Sequence, residues 1–488
     1  MKSEDKSNPD TVQKEDAVEG VSRRDFLSSA TAAGLAAASL GTSEEALTQE
    51  VAQTRVAALA PPSAMQQSME DDTPVGYSSE EAQEYFVKNP GSDFMVDILK
   101  HLGFDYVTTN PGSSFRGIHE SIVNYGGNQA PELIAANHEE IATAMGHGYY
   151  KVTGRPLAML AHGTVGLQHA AMAVYNAWCD RSPMVILAGN HLDVQDRRPG
   201  VEWSHSAQDC IRVVRDYIKW DDNPVSLGHF AESMARAYKI AMTPPMGPVA
   251  ISLDGHLQEM EIGDQQLMMP AMTPTQPPSG DWAAVQEAAD WLVEAENPVI
   301  VVDLMSHDQE GMERLVALAE ALQAPVVNQY GRTNFPNTHH LSQGASVIAQ
   351  ADLILGLELY DTWGTINSLR DRVHKDELRR ARPDARVIDI GTKELFWRSN
   401  YQSFQRYYAA DLSISGDAQT TLPILTEAVQ SAMSRSRRSS NGEREERWRA
   451  AHLRAREQAV DAARYAWNAS PVSTARLYAE LWNVGKDR

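Results

Sequence analysis

The 488-residue sequence holds only two cysteines, Cys179 and Cys210, which excludes a disulfide framework, and no Cys/His cluster has the spacing of a zinc site. Long apolar runs are missing as well. Nowhere do about eighteen apolar residues follow one another, the length a membrane-crossing helix needs, so no membrane insertion is expected. Positive charge is in deficit: 43 Lys and Arg stand against 65 Asp and Glu, a formal net charge of −22. Such a surface draws in neither nucleic-acid phosphates nor anionic lipid, which leaves small molecules and other proteins as partners. The 42% hydrophobic content is that of ordinary globular cores. At roughly 150 residues per domain the length suggests about three units.

What is present concentrates between Glu132 and Asn190. Leu133 to Ala136 is an apolar run ending on His138-Glu139, and Ile141 to Tyr150 has small and apolar side chains at helical spacing. The pattern repeats: Pro156 to Ala161 runs into His162-Gly163-Thr164 and a helix from about Gly166 to Trp178, and the strand Met184 to Ala188 ends in Gly189-Asn190. One unit earlier, Tyr106 to Thr109 runs into Asn110-Pro111-Gly112-Ser113-Ser114 and a further helical segment. Strands alternating with helices through short turns predict parallel sheets, whose ligands collect at the carboxyl ends of the strands. Asn110, Ser113, Glu139, His162 and Asn190 all fall there. Taken alone, Glu139 also reads as a helix-capping acid and His162 as a satisfied structural histidine.

Along the chain, residues 1–78 read as address and linker. Ser22-Arg23-Arg24-Asp25-Phe26-Leu27 fits the twin-arginine export pattern and is followed by the weakly apolar stretch Ser28 to Leu40. This predicts a periplasmic or exported protein, with the cytoplasm as the alternative. Residues 79–257 make a first α/β domain that closes on the strand Pro248 to Asp254. Residues 258–280, rich in Met, Pro, Thr and Gln, make a linker. Residues 281–430 make a second α/β domain, with strands at Val299 to Asp303, Ala324 to Val327, Leu353 to Leu357 and Arg386 to Ile390 and a helix from Glu310 to Leu322. In residues 431–488, Glu443 to Tyr465 alternates Arg with Glu, which predicts a solvated helix stabilised by i,i+4 pairs. The expected fold class is α/β, two doubly wound parallel-sheet domains followed by a C-terminal helical segment.

Asn110-Pro111-Gly112-Ser113, then His138-Glu139 before a small-residue helix, then Ala161-His162-Gly163-Thr164, then Asn176-Ala177-Trp178 leading to Ser182-Pro183-Met184 and Gly189, resemble in order and spacing the thiamine-diphosphate enzymes. Within them, benzoylformate decarboxylase and acetolactate synthase are the nearest in pattern. The resemblance runs from about Ser92 to Val429. It makes 79–257 the pyrimidine-binding domain and 281–430 the Rossmann-like central domain, and it implies thiamine diphosphate as cofactor, a 2-oxo acid as substrate and a homo-oligomer. Glu139 then protonates the aminopyrimidine at N1′, a task suited to a desolvated carboxyl group, with Glu140 its solvated neighbour. His162 stands sixteen residues before Trp178, the interval of the catalytic histidine of benzoylformate decarboxylase, and becomes a proton shuttle. Ser113 matches that enzyme's substrate-carboxylate serine, and acetolactate synthases have neither. Pro111, Gly112, Gly163, His169 and Asn190 fall at cofactor-binding positions. The family usually has Asn where His169 stands and Gln where Asn190 stands; both replacements keep a hydrogen-bonding side chain.

Some members bind FAD in the central domain, through a Gly-rich turn after its first strand. Here Val301-Val302-Asp303-Leu304-Met305-Ser306-His307 occupies that turn, and without glycine the backbone does not approach a pyrophosphate closely, so FAD is not expected. The family's third domain holds the diphosphate through Mg2+, bound by a Gly-Asp-Gly motif and a later Asn. Gly416-Asp417 is not followed by glycine, and Pro471 to Trp482 resembles only the lead-in helix of that domain. The diphosphate-binding domain is therefore expected to be missing from these residues, with the magnesium ligands on that missing domain or on a partner subunit that carries it. The expected function is decarboxylation or carboligation of 2-oxo acids, with the decarboxylase branch favoured by His162 and Ser113. One alternative is an acetolactate-synthase-like transferase, which differs in the electrophile captured after carbon dioxide leaves. A second is an incomplete subunit that associates with a partner chain without catalysis of its own.

Overall fold

The computed structural model describes residues 87–190, 207–330, 333–370, 373–395 and 406–486, all within one compact unit, 86–488. The twin-arginine segment lies outside the described residues.

In the first domain α1 (Gly91–His101) precedes β1 (Tyr106–Thr109), α2 (Arg116–Glu120), β2 (Glu132–Ala135), α3 (Glu139–Thr153), β3 (Leu157–His162), α4 (Gly163–Cys179) and β4 (Met184–Asn190). The short β5 (Asp221–Asp222), α5 (Leu227–Met242), β6 (Val249–Asp254) and α6 (Gly255–Glu259) complete it. The strands pair in parallel in the order β2-β1-β3-β4-β6-β5. Both faces of the sheet are covered, which is why its central strands read as unbroken apolar runs. Side chains alternate: Ala158, Leu160, Val185 and Leu187 pack with Met95 of α1 and Phe230 of α5. Met159, Ala161, Ile186 and Ala188 pack on the opposite face with Ala142 of α3 and Leu167 of α4. The chain leaves β1 for β2 on one side and returns to β3 on the other, so the topological switch point of the sheet lies between β1 and β3.

The second domain runs α7 (Trp282–Glu294), β7 (Pro298–Val302), α8 (Gln309–Leu322), β8 (Val326–Asn328), β9 (Leu353–Leu357) and α9 (Thr362–Ile366). It continues through β10 (Asn367–Leu369), β11 (Glu377–Arg379), β12 (Arg386–Gly391), β13 (Leu412–Ser415) and α10 (Ala418–Ala432). Its parallel sheet has the order β13-β12-β9-β7-β8, while β10 and β11 form a separate antiparallel pair. The two parallel α/β sheets agree with the expected fold class. The β10/β11 pair, three residues a side and largely exposed, is too short to leave a periodicity in the sequence. The domains meet through Arg181, just after α4, whose Nη1 donates to Glu358 Oε2 at 2.5 Å and to Thr392 Oγ1 at 3.1 Å.

Three boundaries differ from the sequence expectation. α4 starts at Gly163 because His162 is extended (φ −68, ψ 115) and passes directly into the helix. Gln258, placed first in the linker by composition, is 1% exposed within the first domain. The C-terminal helix α11 (Arg435–Arg464) begins eight residues before Glu443, with the Ser434 side chain accepting from Arg437 N. Its first half is docked rather than solvated: Arg437 Nη2 donates to Glu294 O and Arg444 Nη1 to Leu322 O, the last carbonyls of α7 and α8. A cation at a helix C-terminus meets the negative end of its dipole, a role that the Arg/Glu alternation conceals. The later part carries the expected surface pairs, Glu445 with Arg449 and Asp461 with Arg464, and α12 (Thr474–Gly485) follows. Among the described residues no helix is long and apolar enough to cross a membrane.

Candidate active site at the switch point

β1 and β3 deliver the first constellation. After β1 the turn carries Pro111 and Ser113, both exposed, then Gly112 and the buried Ser114. After β3 come His162 and Gly163. Ser114 Oγ lies 2.6 Å from His162 Nδ1 and accepts from Gly163 N at 3.3 Å. Close approach is what the glycines here permit. A Cβ on Gly112 would stand 2.6 Å from His162 Cβ, and one on Gly189 would stand 2.3 Å from Ser114 Oγ. Ser113, the serine singled out from the sequence, makes no side-chain hydrogen bond among the described residues; its neighbour Ser114 makes the contact to His162.

β2 and α3 deliver the second constellation. His138 caps α3, its Nδ1 accepting from Glu140 N at 3.1 Å, so capping falls to His138 and not to Glu139. Glu139 opens the helix, is 5% exposed, and anchors the next turn only through its carbonyl, which accepts from Thr143 Oγ1. Its carboxylate has no hydrogen-bond donor or cation among the described residues. That is a costly state for a buried acid unless something else meets it. The exposed His169 on α4 stands edge-to-face with His138, ring centroids 5.0 Å apart. One donor atom each from His138, Glu139 and His169 lie within 4.8 Å of one another. His138 Nδ1 is already an acceptor in the cap, which puts its ring proton on Nε2 and makes it a poor metal ligand.

Gly166 on α4 joins the two groups: its Cβ position is 3.4 Å from Glu139 Oε1 and 3.4 Å from His162 Cβ. Asn190, buried at the end of β4, instead borders a separate cavity of about 640 Å³ with Cys210, Arg215 and Ser252, where burial, reinforced by Asp209, pushes the Cys210 thiol up to about 11. The structure thus brings Gly112, Gly163 and His162 together, sets Glu139 and His169 across Gly166, and leaves Ser113 and Pro111 on the open rim. Ser114, Gly166, Gly189 and Gln258 escaped the sequence reading. Gly166 and Gly189 had a signal, glycine within a regular element, whereas Gln258 had none.

Two sequence-family profiles match the chain. Residues 89–209 match the thiamine pyrophosphate enzyme, N-terminal TPP binding domain, and residues 285–425 match the thiamine pyrophosphate enzyme, central domain. Acetolactate synthase of Bacillus subtilis is 23% identical over 357 residues, covering 70% of this chain and 57% of that protein. Benzoylformate decarboxylase of Pseudomonas aeruginosa is 27% identical over 274 residues, covering 54% of this chain and 49% of that protein. The chain therefore spans about half the length of these curated relatives. The crystal structure of benzoylformate decarboxylase from Polynucleobacter necessarius superposes with a TM-score of 0.55 at 20% identity, over 71% of this chain and 62% of that one, a likeness of fold. By these two domains, in this order, the chain belongs to the thiamine pyrophosphate enzymes and is related to acetolactate synthase and benzoylformate decarboxylase.

Proposed function

We propose that this chain supplies the pyrimidine-binding wall of a thiamine-diphosphate-dependent 2-oxo acid decarboxylase. The observation that carries the reading is the carboxylate of Glu139, buried at a strand end and partnerless among the described residues. A protonated ring nitrogen is the partner such a group lacks. The residues fit an aminopyrimidine: Gly166 leaves open the space above Glu139, and His138 and His169 flank it. What bound thiamine diphosphate supplies is an electron sink for the bond to departing carbon dioxide.

This chain's own residues do the rest. Glu139, 5% exposed, holds a proton at the pyrimidine N1′ out of reach of bulk water. His162, across Gly166, faces developing charge on the substrate, and Ser113 on the open turn meets the substrate carboxylate. Gly112, Pro111, Gly163 and His169 form the surrounding cofactor wall, while Asn190 borders the neighbouring cavity. The sequence contains no Gly-Asp-Gly, and imidazole-rich groups suit magnesium poorly, since it prefers oxygen ligands. The diphosphate and its Mg2+ are accordingly held by residues other than these, in a further domain or on a partner subunit of the oligomer. Export by the twin-arginine route belongs to the same proposal, as a way to carry the protein with its cofactor already bound. The acetolactate-synthase-like reading is favoured by the longer match to that enzyme; incubation with pyruvate alone separates the two, giving acetaldehyde in the first case and acetolactate in the second.

The test is exchange of the thiazolium C2 proton in the assembled enzyme. Glu139→Gln is expected to keep the cofactor bound and to slow exchange by about 10²–10⁴-fold, the range of acid–base catalysis. Exchange as fast as in the parent would leave Glu139 as no more than a residue of the first helical turn.

A further inference from the structure

Ser114 is 1% exposed, so every hydrogen bond of its hydroxyl is made inside the protein. Among the described residues Oγ has two hydrogen-bonding partners, His162 Nδ1 at 2.6 Å and Gly163 N at 3.3 Å. The backbone N–H only donates and therefore occupies one lone pair of Oγ. If Nδ1 also carried a proton, Oγ would accept twice and its own hydrogen would face no acceptor in a buried site, which folded proteins avoid. If the hydroxyl donates to Nδ1, all three groups are satisfied. We infer that Ser114 is a positioning residue that sets the tautomer of His162, holding the resting ring neutral with its proton on Nε2.

The surroundings make this arrangement rigid. Gln258 Nε2 donates to the Ser114 carbonyl at 3.0 Å while Gln258 Oε1 accepts from Ile118 N at 3.3 Å, which ties the serine to the start of α2. Gly112 and Gly189 admit the histidine and the serine at distances no other residue would allow. The consequence for catalysis rests on the decarboxylase reading above. A neutral imidazole with Nε2–H donates a hydrogen bond to a substrate oxygen as negative charge gathers there. It does not take a proton at that nitrogen, so the resting His162 is a hydrogen-bond donor and not a base. The ligand chemistry this suits is an oxygen acceptor, the carbonyl or carboxylate of an oxo acid.

The experiment is ring ¹⁵N–¹H correlation NMR on the full chain labelled with ¹⁵N-histidine, without cofactor, with the His162 signals assigned by their loss in His162→Gln. In the parent, Nδ1 is expected at the position of an unprotonated, hydrogen-bonded nitrogen and Nε2 at that of a protonated one. Ser114→Ala is expected to shift both toward the average of exchanging tautomers. A protonated Nδ1 in the parent, or an unchanged spectrum in Ser114→Ala, overturns the inference. Should Ser114→Ala fail to fold, the parent spectrum decides alone. Because no turnover is measured, failure here is distinct from failure of the decarboxylase reading, which the C2 exchange of Glu139→Gln reports.

Discussion

Glu139 Oε1 lies 3.4 Å from the place where a Cβ on Gly166 would stand, and His162 Cβ lies at the same distance from that place. One methyl group on α4 would therefore touch both the acid proposed to meet the cofactor and the histidine proposed to meet the substrate. Gly166→Ala tests whether that space is used. Its contacts, 3.3 Å to the Ala161 carbonyl carbon and 3.4 Å to the two side chains, are tight but not severe, and alanine improves helix propensity by up to ~1 kcal/mol. Thermal unfolding is expected to change little, within about 1 kcal/mol, while thiamine diphosphate affinity of the assembled enzyme falls at least tenfold, about 1.4 kcal/mol. Calorimetric titration beside a melting curve separates the two effects, and unchanged affinity would remove the aminopyrimidine from this side of α4.

Much of this was legible in the sequence for a physical reason. Strands buried on both faces tend to be apolar throughout, so β3, β4 and β9 stood out as short runs, and the strand-end positions of Glu139, His162 and Asn190 followed from the order of elements alone. What sequence order does not encode is which side chain of a turn points inward. Ser113 and Ser114 are adjacent and chemically identical, yet only Ser114 enters the protein, because Phe115 behind it is wholly buried and the intervening turn is 3₁₀. The part played by Gln258 was equally hidden, since its partners Ser114 and Ile118 lie more than a hundred residues away in the chain. Arg444 looked like one half of an exposed charge pattern, and only the tertiary fold shows that it and Arg437 reach the carbonyl ends of two helices.

The contact of Arg181 with Glu358 ties the two α/β domains together in a buried setting, with side chains 7% and 1% exposed. Glu358 also accepts from Thr392 N at 3.1 Å and from Ala418 N at 3.2 Å, at the start of α10. Removing the cation alone strands a buried carboxylate, which typically costs ~3–5 kcal/mol. Arg181→Met is thus expected to lower stability to urea by that order. The double variant Arg181→Met, Glu358→Gln should lose less than the single one, because the stranded charge is gone. Equal losses in the two would mean that the ion pair contributes only packing.

Lys219 gives the stability a pH dependence of predictable sign. Its Nζ donates to Ile240 O and to Thr243 O, each at 2.7 Å, and burial pushes its pKa down to about 8 from an ordinary 10.5. Below pH 8 the group is charged in both folded and unfolded chains, and the folded state carries the full burial penalty. Between pH 8 and 10.5 the unfolded chain binds more protons than the folded one, so stability rises with pH in this window and levels off above it. At 1.36 kcal/mol per pKa unit the whole span is worth roughly 3 kcal/mol. Other groups titrate in the same range, so the quantity to measure is the difference between the parent and Lys219→Met, by urea unfolding at several pH values. The parent should gain on the variant steadily from pH 8 to 10.5, and parallel curves would show that Lys219 keeps its ordinary proton affinity in the folded protein.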